Sequence, residues 1–343
     1  MALKGQLRVW RNFAIIGVLL ALLPLPFTSA PNILQWLVVG LLLGGYAMAF
    51  DFSAGYVGVI NLGFAAFAGL GAYTAGLLAV DYGLSLWLGL IAGMLAGAAL
   101  GAFTGFLTLR FRGLYAAVVT LFFGSALQGI VTIAQPITGG SIGLTVPTFF
   151  GGGYLPYYYV ILGLVIMVFI AMRLLVDSRF GLGFKALGDN LDAARASGIA
   201  PQSRILNFTV SCAAAGLFGA FYGGFYGVLT PFLLDSIQTT PIVVLTFMIG
   251  RGTLIGPALF AIPFTFLTNW LNVSFNDLPG LGLLIYGAGL IGVIIFYPAG
   301  LTGLYFTVVR KWVKPRLRAM SQTQGRASGG VIQPVEGEDA GRA

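Results

Sequence analysis

Long apolar runs, separated by short groups of charged residues or of Gly, Pro and Asn, alternate along most of the chain. A bilayer core about 30 Å thick requires about 20 mostly apolar residues per helix, and most of the runs approach that length. The pattern predicts an all-α fold, a polytopic membrane bundle of about ten transmembrane helices. The predicted spans are Phe13 to Phe27, Ile33 to Phe50, Val57 to Val80, Leu84 to Leu109, Leu114 to Ala134, Leu155 to Val176, Ile205 to Leu229, Ile237 to Ile249, Leu254 to Val273 and Leu281 to Tyr297.

Two of these spans are shorter than the others, and each has a second interpretation. Phe13 to Phe27 contains two prolines and precedes Thr-Ser-Ala, so it is either a retained span, which we favour, or a cleaved signal peptide. Ile237 to Ile249 is either a crossing or one half of a re-entrant hairpin formed with the next run. The hairpin would leave eight crossings, with both termini still on one side.

The positive charges give the bundle an orientation. When the ten spans are threaded with the N-terminus inside, all 18 Lys and Arg residues fall in the cytoplasm. The outside loops then carry only acidic residues, Asp81, Asp235 and Asp277. We therefore expect both termini to be cytoplasmic, a transmembrane domain over residues 1–309, and a basic, then disordered, tail over residues 310–343. The basic residues are expected to contact anionic lipid and no nucleic acid.

Composition excludes most kinds of enzyme. Hydrophobic residues make up 58% and charged residues 8% of the chain, and the mean hydropathy is +0.94, which excludes a soluble enzyme. Histidine is absent and Cys212 is the only cysteine, so the usual metal ligands and catalytic dyads are missing. We expect no metal site and no bound cofactor. No GxxxxGK[ST] motif occurs, so any ATP that drives the protein must bind another subunit.

Glycine accounts for 51 of the 343 residues, and its spacing at Gly97, Gly101 and Gly105 predicts close helix packing.

Three stretches, residues 51–63, 138–143 and 250–256, combine glycine with polar residues. Broken helices present backbone dipoles at membrane depth, and transporters often build substrate sites from them. The apolar runs contain almost no ionisable side chains, which a proton-coupled mechanism would need to carry its protons. The residues predicted to line a substrate pathway are Asn61, Gly63, Thr138, Gly139, Gly140 and Thr253.

The loop at residues 177–205 is long, charged and patterned for a helix. Its apolar residues recur at helical spacing from Phe184 through Leu187 and Leu191 to Ala194, which predicts an amphipathic helix that ends at Gly198. Such a helix either lies on the membrane surface or inserts into the groove of a soluble partner.

Six motifs follow one another along the chain. They are GYVGVINLGFAAFAGLGAYTAGLL (55–78), LRFRGLYAAVVTLFFG (109–124), TGGSIGL (138–144), SRFGLGFKALGDNLDAARASGI (178–199), IGRGTLIGP (249–257) and FYPAGLTGL (296–304). In this order, from about Tyr46 to Tyr305, the chain resembles the LivM-like permease subunits of branched-chain amino-acid ABC importers. The departures are Arg251 within a motif that commonly reads G-G-x-G-T, Leu191 and Asp192 where a glutamate is common, and Asn61 where serine is frequent. These departures bear on which substrate is expected more than on the expected type of transporter.

The resemblance implies a multi-pass permease subunit in the bacterial inner membrane, without an ATPase site of its own. Its implied partners are a second, LivH-like permease, two cytoplasmic ATPase subunits that bind ATP and Mg²⁺, and an extracytoplasmic solute-binding protein. Loop 177–205 would dock on the ATPase and drive alternating access. The residues that the resemblance assigns to this coupling contact are Arg179, Gly181, Lys185, Ala186, Gly188, Asp189, Asn190, Ala194, Gly198 and Ile199.

The expected cargo is a branched-chain or other small hydrophobic amino acid. Two alternatives remain. One is a related importer permease for urea, amides or small carboxylates. The other, from a different class, is a stand-alone channel or a sodium-coupled secondary transporter, since sodium coordination by backbone carbonyls requires no charged side chain. A membrane enzyme has the least support, because no nucleophile, base or metal-ligand set is apparent.

Overall fold

A computed structural model of the protein describes residues 15–28, 30–108, 111, 113–274 and 287. Helices dominate this part of the chain. They are α1 (Ile15–Phe27), α2 (Pro31–Tyr56), α3 (Phe64–Tyr82), α4 (Leu86–Thr108), α5 (Leu114–Ile133), α6 (Gln135–Thr138), α7 (Leu155–Asp177), α8 (Arg179–Asp189), α9 (Leu191–Ala196), α10 (Gln202–Tyr226), α11 (Thr240–Ile249) and α12 (Ile255–Ser274). Three-residue or four-residue 3₁₀ turns cover Leu25–Phe27, Gly140–Ile142, Pro231–Leu234 and Ser236–Thr239, and two short strands are β1 (Leu144–Thr145) and β2 (Val228–Leu229).

Six of the described helices, α2, α3, α4, α5, α7 and α10, are long and apolar enough to cross a membrane. This confirms an all-α, multi-pass membrane fold. The number of crossings stays a prediction, because the tenth predicted span, Leu281 to Tyr297, lies outside the described residues. The N-terminal residues 1–14 and the predicted tail at 310–343 lie outside them too.

α10 packs against α3 and α4, and glycines line these contacts. A Cβ atom added to Gly101 would lie 2.5 Å from the Cβ atom of Cys212. Cβ atoms added to Gly97, Gly71 or Gly216 would collide with the backbone of the facing helix. The absence of side chains therefore lets the three backbones approach closely, and the predicted tight packing is confirmed.

α12 runs antiparallel to α2 along most of its length. The two helices contact each other at Gly44 and Ala258, Gly40 and Ile262, and Trp36 and Phe266. α11, by contrast, has only 10 residues, which is about half of the length needed to cross a bilayer. α11 runs in the same direction as α2, and α12 returns in the opposite direction in contact with both. The choice between a crossing and a re-entrant hairpin therefore stays a prediction.

The interruption between the second and third predicted spans lies further along the chain than the sequence indicates. The predicted spans stop at Phe50 and resume at Val57, whereas α2 continues without a break to Tyr56. The polar residues in between are satisfied within the fold. Asp51 accepts two backbone hydrogen bonds, and the Ser53 hydroxyl donates to the carbonyl of Phe50 at 3.2 Å. The helix therefore continues through them, and residues 57–63 are irregular instead.

The bundle has two distinct ends. α8 and α9 lie at one of them, together with the C-terminus of α2, and we call this the α8 end. The two strands lie beyond the C-terminus of α10 and pair antiparallel, with Leu144 opposite Leu229 and Thr145 opposite Val228. We call this opposite end the β1–β2 end.

Candidate functional site

The first break, residues 57–63, leaves α2 at the α8 end and returns into the bundle. The side-chain amide of Asn61 donates to the Sγ of Cys212 at 3.7 Å. The neighbouring Ser211 hydroxyl donates to the carbonyl of Ala49 at 2.6 Å. Asn61 therefore lies at about the same depth in the bundle as Ala49 of α2. At a rise of 1.5 Å per residue, Ala49 is about 10 Å from the C-terminus of α2.

The second break, residues 230–239, enters the bundle from the β1–β2 end. It consists mainly of two 3₁₀ turns, and α11 begins directly after it. Its last residue, Thr239, is buried and accepts a hydrogen bond from the backbone N–H of Ala65 at 3.1 Å. Because Ala65 lies in the first turn of α3, the second break meets the helix that follows the first break.

Threonine hydroxyls satisfy the backbone where the chain is irregular. The N–H of Leu62 donates to the Oγ1 of Thr120 at 3.1 Å, and that hydroxyl donates in turn to the carbonyl of Ala117 at 2.8 Å. The first N–H groups of a helix have no partner within the helix, and lipid offers none. Thr120 and Thr239 provide acceptors at this point, so the protein itself supports the irregular backbone near the middle of the bundle.

A cavity of about 370 Å³ lies between the two breaks. Leu62 and Leu121 line one side of it, and Ser236, Ile237 and Thr239 line the other. Any relative movement of the two breaks would change the size of this cavity. The arrangement is the one in which transporters place a gate or a substrate, because broken helices meet there within the membrane.

The Asp51 carboxylate holds a turn at the α8 end. It is fully buried and accepts hydrogen bonds from the N–H of Gly252 at 2.7 Å and from the N–H of Leu254 at 2.8 Å. Leu254 has a φ of +55°, a conformation that non-glycine residues seldom adopt. Charge-assisted bonds to backbone N–H groups are among the stronger hydrogen bonds. Asp51 therefore fixes the start of α12 against α2.

A polar cavity of about 530 Å³ opens beside this turn at the α8 end. Its lining includes Gly58 of the first break, Lys185 and Asp189 of α8, and Arg251. The guanidinium carbon of Arg251 lies 5.2 Å from the centre of the Phe247 ring, a cation–π distance. The first break, α8 and the turn before α12 thus share one cavity.

A family model for the permease component of branched-chain amino acid transport systems matches residues 32–294 of the chain. The match includes both breaks, α8 and α9. The chain belongs to this permease family. The resemblance of its motifs to LivM-like permeases is thereby confirmed.

The individual relatives that match the chain are also permease proteins of import or transport systems. The permease is 30% identical over 278 residues to the high-affinity branched-chain amino acid transport system permease protein LivM of Escherichia coli K12, and 28% identical over 277 residues to LivM of Salmonella typhimurium LT2. Each alignment covers 72% of this chain and 64% of the relative, so the chain spans slightly less than two thirds of the LivM length. The permease is also 28% identical over 307 residues to the autoinducer 2 import system permease protein LsrC of Yersinia enterocolitica, which covers 83% of this chain and 79% of LsrC. No solved structure matches the chain.

The predicted coupling loop of the permease forms two helices, whereas the sequence pattern predicts one. α8 ends at Asp189, and α9 begins after Asn190. The side-chain oxygen of Asn190 accepts hydrogen bonds from the N–H groups of Asp192 and Ala193 at 3.0 and 3.1 Å. Asparagine is a strong N-cap residue, and this cap starts a new helix in a new direction. The single-helix prediction is wrong for this reason.

The apolar stripe at Phe184, Leu187 and Ala194 packs against the rest of the permease. Phe184 is fully buried, and its ring lies edge-to-face with Phe52 of α2 at 5.8 Å. Leu187 and Ala194 are also buried. These three side chains are therefore covered by the same chain, and contact of the loop with surface lipid or with a partner groove stays a prediction. The exposed side of the loop carries charged residues such as Lys185 and Arg195, together with Phe180 and Leu182.

The residues assigned to the coupling contact divide into two groups. Gly181 and Ala194 are buried within the fold, and Ala186 and Ile199 are partly buried. Gly188 is exposed on one side while its Cα packs against the end of α2 on the other. The exposed members are Arg179, Lys185, Gly188, Asp189, Asn190 and Gly198.

The residues predicted to line the pathway fall into three separate groups. Asn61 and Gly63 lie at the first break. Thr138 to Gly140 form a turn that the Thr138 hydroxyl closes by donating to the carbonyl of Val131 at 2.6 Å, towards the β1–β2 end. Thr253 donates to the carbonyl of Gly250 at 3.3 Å, at the α8 end. None of them lines the cavities described above, and the pathway assignment stays a prediction.

Sequence reasoning missed three residues that organise the site. Thr120 and Thr239 lie inside or beside apolar runs, where threonine usually bonds to its own helix. Asp51 lies in a stretch that the sequence marks as polar, but its role as an acceptor was not predicted. One signal was available, since Asp51 is an acidic residue within an otherwise apolar stretch and such residues have a functional or structural partner by default.

Proposed function

We propose that the protein is the membrane-spanning permease subunit of an ATP-driven importer, with alternating access driven by separate ATPase subunits. The permease family to which the chain belongs supports this type of transporter. The observation that carries the mechanism is the direct contact of α8 with the C-terminus of α2, at Gly188 and Tyr56, where the first break begins. A protein docked on α8 and α9 can act on the break through this contact.

The proposed movement passes through a short series of contacts. A displacement of α8 shifts the end of α2 and the first break. The first break is bonded to Thr120 of α5, and the helix that follows it is bonded to Thr239 of the second break. Packed interiors respond to such shifts by switching between arrangements. The two breaks therefore separate or close together, which opens or shuts the cavity between them.

We propose that the α8 end faces the cytoplasm and that the chain crosses the bacterial inner membrane ten times, with both termini inside. All six described Lys and Arg residues lie towards the α8 end, as the positive-inside rule requires. Asp81 and Asp235 lie on the opposite half. The β1–β2 end then receives cargo from an extracytoplasmic solute-binding protein. A second, LivH-like permease and two ATPase subunits complete the assembly.

The proposed cargo is a branched-chain or other small hydrophobic amino acid, as the names of the two LivM relatives state for those proteins. A second cargo has one specific observation in its favour. LsrC, which matches more of this chain, is named for import of autoinducer 2. Competition against uptake of radiolabelled leucine separates these cargoes: leucine, isoleucine and valine should compete, whereas autoinducer 2, urea and acetamide should not.

Cysteine cross-linking tests the docking of ATPase subunits. Ala193 and Ala194 are neighbours on α9, but Ala193 is exposed whereas Ala194 is buried. In the assembled transporter, Ala193→Cys should cross-link to an ATPase subunit through a short bifunctional thiol reagent, and Ala194→Cys should not. Ile142→Cys, highly exposed near the β1–β2 end, is the control for the other side. Cross-linking of the ATPase to Ile142→Cys instead of Ala193→Cys would refute the proposed docking and orientation.

A further inference from the structure

A further cavity of about 240 Å³ lies between α2, α3, α10, α11 and the second break, next to the cavity between the two breaks. Its polar lining consists of the side chains of Tyr46, Tyr222, Tyr226 and Gln238. We call it the tyrosine pocket. Drug-sized ligands occupy pockets of about 300–1,000 Å³, so only a smaller molecule would fit here.

Within the part of the chain that the structure describes, the rest of the pocket wall is apolar. Leu42, Leu43, Leu233 and Ile242 contribute branched aliphatic side chains, and no described Lys, Arg, Asp or Glu lines the pocket. A molecule with a net charge would be poorly accommodated inside such a wall within the membrane. The wall therefore suits a molecule with an aliphatic part and no net charge.

The tyrosine hydroxyls of the pocket have no hydrogen-bond partner among the described residues. Elsewhere in the bundle, Tyr157 donates to the carbonyl of Phe150 at 3.0 Å and Tyr158 donates to the carbonyl of Leu20 at 2.6 Å, whereas the buried Tyr73 hydroxyl has no partner among the described residues. The side chain of Tyr226 is 42% exposed, and those of Tyr46 and Tyr222 are partly exposed, so these hydroxyls are accessible from the pocket. Among the described residues, the pocket thus presents three hydroxyls and one amide group to an occupant.

The floor of the pocket is the junction of the two breaks. Ala65, whose N–H is bonded to Thr239, lines the pocket, and Gln238 and Ile242 lie on either side of Thr239 in the sequence. An occupant would therefore contact the second break and the first turn of α3 at once. Occupancy and the position of the breaks would be linked, because the occupant touches both elements.

We propose that the tyrosine pocket binds one small aliphatic amino acid in transit, an inference that rests on the proposed function. The hydroxyls of Tyr46, Tyr222 and Tyr226 and the amide of Gln238 bind the carboxylate and ammonium groups of the zwitterion. The aliphatic wall takes the side chain. Hydroxyls and an amide can both donate and accept, so they match both charges of a zwitterion without adding a charge of their own.

Removal of two hydroxyls tests this site without removing the rings. In the assembled transporter, a variant carrying Tyr46→Phe and Tyr222→Phe should import leucine at least about tenfold more slowly, because hydrogen bonds to charged groups are lost. Its ATP hydrolysis should be unchanged. The control, Tyr159→Phe, removes a hydroxyl from the exposed face of α7 and should import normally. Leucine import by the double variant within about twofold of the unmodified transporter would overturn the proposal.

Labelling of Gln238→Cys gives a readout that does not depend on the transport cycle. Cys212, the only natural cysteine, is fully buried, so a small thiol reagent detected by mass analysis of this chain should report position 238. Leucine should slow the labelling, lysine should not, and Gln135→Cys, exposed towards the β1–β2 end, should be unaffected by either. If the unmodified transporter imports leucine but leucine gives no protection, the pocket proposal is wrong and the proposed function stands. If the unmodified transporter imports no branched-chain amino acid, the proposed function itself fails.

Discussion

Gly188 of α8 packs directly against Tyr56, the last residue of α2. A Cβ atom added to Gly188 would lie 2.5 Å from the Tyr56 carbonyl oxygen and 3.3 Å from the Cα of Val57. Two backbones thus touch with no side chain between them. A displacement of α8 is therefore transmitted directly to Val57, the first residue of the first break, because no flexible side chain lies between them to absorb it.

This contact predicts that even the smallest side chain at position 188 impairs transport. Gly188→Ala should force α8 away from α2, at a cost of about 1–3 kcal/mol for overpacking, and should reduce ATP-dependent uptake of leucine more than ATP hydrolysis. Gly183→Ala is the matched control on the same helix, because its added Cβ would lie 3.7 Å from the nearest atom. Equal uptake by the two variants would show that the contact is not needed for coupling.

The buried carboxylate of Asp51 predicts a second effect. Asp51→Asn places an NH₂ group opposite a backbone N–H donor, Gly252 or Leu254, and leaves that donor without an acceptor, which costs about 1–3 kcal/mol. The melting temperature of the purified protein should fall, and uptake should fall with it. Asp177→Asn removes a carboxylate from an ion pair with Arg173 near the surface, where such pairs contribute little, and should change neither quantity measurably. An unchanged melting temperature for Asp51→Asn would contradict this role.

The hydrogen bond between Thr239 of the second break and Ala65 in the first turn of α3 predicts a third effect. Thr239→Val keeps the shape of the side chain but removes the acceptor for the Ala65 N–H, so uptake should fall several-fold. Thr239→Ser retains the hydroxyl and should restore most of the uptake. Thr74→Val is the control for this exchange, because the Thr74 hydroxyl donates only to Leu70 of its own helix and lines none of the described cavities. Failure of serine to perform better than valine at position 239 would mean that packing, and not the hydrogen bond, matters there.

Gly198 tests the exposed surface of the coupling helices. It has open space around it and a φ of +81°, a conformation that asparagine tolerates better than most residues. Gly198→Arg should abolish uptake by obstructing the ATPase, while Gly198→Asn should retain it. Co-purification of the ATPase subunits with each variant measures docking directly. Normal co-purification and normal uptake with Gly198→Arg would remove Gly198 from the docking surface.

Several of the spans, the family and the close helix packing could be predicted from the sequence, because each depends on periodic or local features. Runs of apolar residues locate α4, α5 and α7 to within a few residues. Glycines at four-residue spacing, such as Gly97 and Gly101, indicate close packing whichever helix faces them. The charged loop, the only long charged stretch between predicted spans, also predicts where a partner docks, and that assignment stays a prediction.

The site itself depends on contacts between residues that are distant in sequence. Thr239 and Ala65 are 174 residues apart, and Asp51 and Leu254 are 203 apart, so no local pattern joins them. The apolar side of α8 illustrates a further limit. Its periodicity shows that Phe184 is buried, but the sequence does not show that the surface covering it is α2 of the same chain.

Uptake of radiolabelled leucine into proteoliposomes tests the central claim most directly. The full set of permeases, ATPases and solute-binding protein should import leucine only when ATP is present on the side of the ATPases. Proteoliposomes that contain the permeases without the ATPases should import none, with or without a sodium gradient. Uptake that persists without the ATPase subunits would contradict the account, because the permease would then be a stand-alone channel or secondary transporter.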